Sequence, residues 1–384
     1  MKFKNKFHRA AIFALALVLA SVSSLAVYAS VSYDSSKDPV VAYSGMVAYV
    51  ESVLQNIRSS IASIEARLSM IEMSGVSGGG SGGTGIGAEQ LAEIMSELNA
   101  LKNENAELKS EIASIKNDIK NNKNEMLSLI DELDAIPYES VTITSHDGLK
   151  LYGRYYHVCD GAPIHIEFHG YRSMAIRDFS GMDRIVRALK HNTLLIDQRA
   201  HGSSEGNCIS FGIKERLDCL SWIDYASQRF GKDTPIFLMG ISMGAATVLM
   251  ATGEELPKNV KGVIADCPFT SPWDAIKQSG KKRHIPASLA YPFVFTGAKL
   301  FGHFDFNETS AVEAVKRSKV PILIIHGEGD RLLPYDMSRK IAEACASPIT
   351  FITIPEAGHG MSYVIQTERY TSLAIKFIND CLKV

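Results

Sequence analysis

Residues 236–252 read IFLMGISMGAATVLMAT, and they admit few local structures. The apolar run 236–239 reads as a buried strand, and 245–251 reads as a helix. Between them lie Gly240, Ile241, Ser242, Met243 and Gly244. A strand that passes at once into a helix forces the residue at the apex into a strained backbone conformation and exposes its hydroxyl. Glycine two positions to either side lets strand and helix approach without a side-chain clash. The helix N-terminus then directs backbone N–H groups at the space beside the serine oxygen. Glycine and serine are common in loops, so the G-x-S-x-G spacing gains its weight from the strand before it and the helix after it.

The alternation extends in both directions. A hairpin is expected over 141–157 around Asp147-Gly148. Strands follow at 164–168, 193–196, 260–265, 321–326 and 349–354, with helices at 177–190, 214–230, 335–346 and 363–382. Such an order implies an α/β domain with a mostly parallel sheet and helices on both faces. The stretch 267–310 breaks the alternation. It is rich in aromatic residues, and Pro268, Pro272, Pro286 and Pro292 are expected to cut it into short helices, so it reads as a cap.

Upstream of Pro137 the pattern is different. Apolar residues at heptad spacing run over 46–73 and again over 89–136, with Asn105 and Asn122 in the seam; this is a coiled-coil signature. A Gly/Ser-rich linker at 74–88 separates the two segments. They can fold back on each other as a hairpin, or each can pair with another copy to give a homo-oligomer. Residues 1–30 carry Lys2, Lys4, Lys6 and Arg9 ahead of an apolar run, and Val27-Tyr28-Ala29 offers a cleavage site. Residues 10–29 are also long enough to cross a bilayer. A cleaved signal peptide and a membrane anchor both fit, and either places the chain outside the cytoplasm. The expected organisation is 1–30 signal or anchor, 31–137 coiled coil, and 138–384 α/β domain.

Five features, in order and each at a strand end, resemble the α/β-hydrolase superfamily. They are His169-Gly170, Asp197 through His201-Gly202, the elbow at Ser242, Gly327-Glu328-Gly329-Asp330, and Gly358-His359. The resemblance covers 138–384, and the texture around Asp266–Ser271 is similar to exported or membrane-anchored bacterial hydrolases. It implies the α/β-hydrolase fold, a cap after the sixth strand and a Ser-Asp-His triad.

A serine hydroxyl is a poor nucleophile unless a base takes its proton and a third group holds that base. Ser242, His359 as base and Asp330 as acid follow the chain order of this fold. Asp266 and Glu328 are rival acids. Backbone N–H groups of Tyr171 and Met243 would form the oxyanion hole. His201 and His326 read as structural, and Asp197 and Arg199 as braces of their loop. Phe269, Phe293 and Phe295 are the candidate substrate contacts, and a cap this apolar implies an apolar pocket.

His165, Glu167 and His169 share one strand face in a way that could mimic a metal site. No fourth ligand is evident, so neither metal nor cofactor is expected. A net charge of −2 gives no reason to expect nucleic acid as a partner. The six cysteines are scattered without a C-x-x-C pair. The expected activity is cleavage of carboxylic esters or related acyl substrates. Cleavage of short peptides, or a scaffold carrying a non-catalytic hydrolase-like module, are the alternatives.

Overall fold

The computed structural model describes residues 124–282 and 287–383, with single positions between 96 and 121. The signal or anchor segment, the Gly/Ser linker and nearly all of the heptad region lie outside the described residues. Asn124–Val384 belong to one compact unit.

Its centre is an eight-stranded sheet in the order β1-β2-β4-β3-β5-β6-β7-β8. The strands are β1 Glu139–Thr144, β2 Lys150–Tyr156, β3 Ile164–Phe168, β4 Asn192–Ile196, β5 Ile236–Ile241, β6 Val260–Asp266, β7 Ile322–Gly327 and β8 Ile349–Ile354. The β1/β2 and β2/β4 pairs are antiparallel, and every pair from β4 onward is parallel. Every residue of β3 and β4 is buried, and so is all of β5 except Ile241. Near-continuous apolar strands of this kind are what a sheet covered on both faces requires.

The helices are α1 Ala175–Ala188, α2 Glu215–Phe230, α3 Met243–Ala251, α4 Pro272–Lys282, α5 Ala287–Gly297, α6 Ala311–Val315, α7 Asp336–Ala344, α8 Ser362–Ile365 and α9 Thr367–Leu382. One face of the sheet packs Ile166, Leu238 and Val263 against Trp222 and Ile223 of α2 and Val248 of α3. The other packs Phe237, Ile264 and Leu323 against Phe179 of α1 and Ala374 and Ile378 of α9. Helix α3 is buried along its whole length. Its sequence is apolar all round, as a helix enclosed by the sheet and its neighbours must be.

Three features depart from the sequence reading. The first concerns the domain edge. A helix over 124–134 delivers Leu133, 0% exposed, to the second core layer beside Tyr156 and Phe179, and Leu129 is buried one turn earlier at 5% exposed. Asp134 pairs with Arg154 at 2.9 Å, and Glu132 with Arg187 at 3.3 Å. The compact unit thus begins about a helix earlier than Pro137, because the last heptad positions face the domain. Second, the closing helix is interrupted at Gln366, whose φ of −135° and ψ of 62° lie outside the helical region. Third, Pro292 does not cut the cap. It lies inside α5, which continues into a π-helical turn, Ala298–Gly302.

Removing a buried leucine side chain costs about 2–5 kcal/mol. Leu133→Ala should therefore lower unfolding stability by about 3 kcal/mol. A chain beginning at Tyr138 should likewise melt well below one beginning at Asn124. Denaturant unfolding of the three proteins checks this, and equal midpoints would contradict the packing described.

Candidate active site

β3 is flanked by β4 on one side and β5 on the other. The chain leaves β3 first toward one edge and then toward the other, and a crevice opens at the carboxyl ends of the strands where the direction changes. Gly170 follows β3 and Ser242 follows β5, so both sit at that crevice. A Cβ on Gly170 would lie 3.5 Å from Ser242 Cβ.

Ser242 has φ 56° and ψ −112°, between the last residue of β5 and the first turn of α3. A non-glycine residue with positive φ is strained and persists only where its surroundings over-determine it. Here the Ser242 N–H donates to the Asp266 carbonyl at 2.8 Å, which ties the elbow to β6. Gly244 completes the constraint. A Cβ there would sit 1.7 Å from the Phe168 carbonyl oxygen, so the helix can approach β3 only without a side chain.

His359 Nε2 lies 2.9 Å from Ser242 Oγ, and His359 Nδ1 lies 2.6 Å from Asp330 Oδ2. A carboxylate only accepts, so Nδ1–H donates to Asp330 and Nε2 is left to accept the serine O–H. The loop carrying Asp330 and the loop carrying His359 meet at Gly327, where a Cβ would lie 2.2 Å from the Ala357 carbonyl oxygen. Asp330 Oδ1 accepts the N–H groups of Leu332 and Leu333 at 2.8 and 2.9 Å.

A second imidazole serves the same carboxylate. His326 Nε2 is 3.1 Å from Asp330 Oδ2 and 2.8 Å from the Leu333 carbonyl. Both partners accept, so Nε2–H is the donor, and His326 Nδ1 takes the Ser338 hydroxyl at 2.6 Å. Burial alone would raise the Asp330 pKa. The adjoining His359 and the hydrogen bonds from His326 and His359 outweigh it and hold the carboxyl well below the usual range. His326 had read only as structural, because strand alternation shows which face a residue occupies and not which group it meets.

The rival acids are engaged elsewhere. Asp266 Oδ1 accepts from Ser362 Oγ at 3.2 Å. Burial pushes its carboxyl up to about 6, against a smaller lowering by His326, Ser362, His359 and Tyr370. Glu328 takes the Thr353 hydroxyl at 2.7 Å on the surface.

The turn after β3 is held from two sides. Asp178 of α1 accepts the Gly170 N–H at 2.8 Å and the Ser173 hydroxyl at 2.5 Å. His201 Nε2 accepts the Arg172 N–H at 3.0 Å, and its Nδ1–H donates to the Arg199 carbonyl. His169 donates to the Gly170 carbonyl at 2.8 Å and accepts the Gln198 N–H at 3.1 Å. Burial, with His201 alongside, lowers its pKa to about 4. Tyr171 is thus carried on a fixed backbone beside Ser242. Met243 is the first residue of α3, a position whose N–H has no acceptor within its own helix.

Above the elbow, Met243, Phe269, Phe295, Phe304, Phe306 and Leu333 form one buried apolar cluster, with Tyr171 and Trp273 at its margin. The structure brings Phe269 and Phe295 here. It does not bring Phe293, which is 77% exposed on the outer side of the cap.

A sheet of this order, a serine elbow after β5, a carboxylate after β7 and an imidazole after β8 together decide the architecture. The chain has the α/β-hydrolase fold. A model of the prolyl oligopeptidase family matches residues 211–384, which include Ser242, Asp330 and His359 but not Tyr171. Among related proteins, the uncharacterized protein YqkD of Bacillus subtilis is 25% identical over 190 residues, 49% of this chain and 62% of that protein. Lysophosphatidylserine lipase ABHD12 of Macaca fascicularis is 28% identical over 175 residues, 44% of this chain and 41% of that protein. The chain thus spans well under the full length of both. The Pyrococcus furiosus esterase Pf2001 superposes with a TM-score of 0.51 at 23% identity, over 64% of this chain and 93% of that one. At that identity the likeness is one of fold. The family match supports a hydrolase.

The remaining residues singled out from sequence brace this α/β-hydrolase domain. Arg199 is buried and paired with Asp218 at 2.6 Å and Asp147 at 2.9 Å. Asp197 Oδ2 accepts the Ser203 N–H. His165 meets His191 at 3.0 Å and Met239 sulfur at 3.1 Å, while His169 is committed to its loop, so the strand-face trio does not converge on a point. Glu167 is fully buried, and burial raises its pKa well above the ordinary value. All six cysteines are free thiols.

Asp266 yields a test with a definite sign. Its folded pKa lies above its unfolded value, so its contribution to stability is fully present below about pH 4 and is lost as pH rises through about 6. Asp266→Asn stays neutral throughout. Relative to the parent, the variant should gain on the order of 2–3 kcal/mol between pH 4 and pH 7, since each pKa unit is worth about 1.4 kcal/mol. Denaturant melts at the two pH values measure the difference; a gap that does not change with pH would refute the buried charge.

Proposed function

We propose that the chain is an exported serine hydrolase that cleaves carboxylic esters bearing apolar acyl or aryl groups, through an acyl-enzyme on Ser242. The observation that carries this is the continuous relay from Ser242 Oγ through His359 to Asp330, with spacings of 2.9 and 2.6 Å. His359 Nε2 takes the serine proton as Oγ bonds to the ester carbonyl carbon. The carbonyl oxygen becomes an oxyanion and takes hydrogen bonds from the backbone N–H groups of Met243 and Tyr171. The tetrahedral species collapses, the C–O bond to the alcohol breaks, and His359 returns its proton to the departing oxygen. Water then enters by the same path: His359 removes one proton, the hydroxide attacks the acyl carbon, and the free acid and Ser242 are regenerated. Asp330 stabilises the imidazolium that forms twice in this cycle. His326, which shares the carboxylate, fixes its orientation.

The preference for apolar groups rests on the cluster of Phe269, Phe295, Phe304 and Phe306 beside Met243. The lipase and esterase relatives agree in reaction class. Cleavage of short peptides is the second reading, and it is favoured by the match of 211–384 to the prolyl oligopeptidase family. Export, with or without retention by residues 10–29, and homo-oligomerisation through 46–136 belong to this proposal on the sequence pattern alone.

Ser242→Ala should abolish ester hydrolysis and labelling by a fluorophosphonate, a loss on the order of a million-fold in kcat, with the fold intact. Asp330→Asn should cost roughly ten-thousand-fold, far more than Asp266→Asn. Phe295→Ala should lower kcat/KM on long-chain esters more than on acetate esters. Near-normal turnover by Ser242→Ala would end the assignment, and peptide turnover exceeding that of every ester would select the second reading.

A further inference from the structure

Beside the triad lies a thiol that the hydrolytic cycle does not use. Cys267 directly follows β6, and its φ of 46° is in the left-handed region that a residue with a side chain seldom adopts. Its N–H donates to the Ile325 carbonyl at 2.9 Å, which ties it to β7, the strand that leads to Asp330. The thiol is fully buried. Its sulfur, a carboxylate oxygen of Asp330 and a ring nitrogen of His359 all lie within 4.8 Å of one another. Strands β6, β7 and β8 are neighbours in the sheet, and each supplies one of the three just past its carboxyl end. The strand-face trio of β3 does not converge in this way; these three residues, 92 positions apart in the chain at the extremes (359 − 267), do.

Thiolate, imidazole and carboxylate are the ligand types that zinc takes in proteins. Metal–ligand bonds of about 2.0–2.3 Å put the ligand atoms of a tetrahedral ion roughly 3–4 Å apart, so shifts of about 1 Å bring the trio onto one ion. The charges also match. A thiolate and a carboxylate balance a divalent cation and a neutral imidazole adds nothing, so the assembly is uncharged where a net charge would be costly. As the metal–sulfur bond forms, the thiol proton leaves to solvent. Magnesium and calcium suit the set poorly, because they take oxygen ligands and only Asp330 supplies them. Among the described residues one other group converges, His146, Asp147 and Asp218. There Arg199 pairs with both carboxylates, at 2.9 and 2.6 Å, and supplies the positive charge itself.

We propose that Cys267, Asp330 and His359 bind a zinc-class divalent cation, and that the bound ion switches the triad off. His359 Nε2 must be open to the serine proton, and Nδ1–H must donate to Asp330. An ion on either nitrogen removes one of these two conditions, so hydrolysis stops whichever nitrogen it takes. The inhibition rests on the hydrolytic role of Ser242; the binding site does not.

Cobalt(II) is the probe for the site, because a thiolate ligand gives it an intense charge-transfer band in the near ultraviolet. The full chain titrated with cobalt chloride should develop that band, and Cys267→Ser and Cys267→Ala should lack it. The other five cysteines remain in both variants and control for binding at a different thiol. Ser242→Ala should show the band undiminished. Zinc chloride should displace the cobalt and inhibit ester hydrolysis, with recovery on adding EDTA and no effect of magnesium at the same concentration. With each protein measured against its own zinc-free rate, Cys267→Ser should need at least about a hundredfold more zinc for half inhibition, since even residues behind the ligands are worth ten- to a hundredfold in metal affinity. No thiolate band in the parent, a band that survives in both Cys267 variants, or equal zinc sensitivity of parent and variants would each overturn the proposal. So would a band accompanied by full activity, because it would place the ion away from His359. If the parent hydrolysed no ester, the hydrolytic reading would fall, and the band in parent, Ser242→Ala and the Cys267 variants would still decide the site.

Discussion

The arrangement depends on a backbone contact that only glycine permits. Helix α3 approaches the end of β3 so closely that the Phe168 carbonyl occupies the space where any side chain at 244 would begin. That approach, together with the hydrogen bond from Ser242 to the Asp266 carbonyl, fixes a serine conformation the backbone would otherwise avoid. The strain is local and is offset by α3, which is enclosed along its whole length. The hydroxyl is consequently presented by rigid elements on both sides, which is what a positioned nucleophile needs.

The second organising group is the Asp330 carboxylate. It sits in the interior, where an isolated charge would be expensive. Four donors meet it: the two imidazoles of His326 and His359 and the N–H groups of Leu332 and Leu333. The ion is held because donors meet both of its oxygens. Asp266, only one strand away, has fewer donors, and there burial wins. Two aspartates at neighbouring strand ends are thus driven in opposite directions, and the difference lies in the adjoining His359 and the hydrogen bonds of the two imidazoles.

Much of this was legible in the sequence. The alternation of short apolar runs with amphipathic stretches gave the strands to within a residue or two, and the elbow spacing located Ser242. What escaped was of three kinds. The heptad over 89–136 has the same period whether its apolar positions face a partner helix or a domain, so Leu129 and Leu133 could not be assigned to the hydrolase core by spacing. The cap helix is apolar on every side, so no periodicity distinguished the inward Phe295 from the outward Phe293. The partnership of His326 with Asp330 depends on a loop that turns back on its own strand, which no local pattern encodes.

The network at Asp330 also bears on how such a site can be altered by design. The carboxylate is not a portable part. Grafting an acid onto the end of β6 in its place would supply the charge and leave behind the two loop N–H groups and the second imidazole that keep it ionised. The transplanted group would take up a proton near neutrality, much as Asp266 does, and would hold the imidazole weakly. In this scaffold the acid is inseparable from the six residues of loop that follow β7, and an engineer would have to move the loop rather than the side chain.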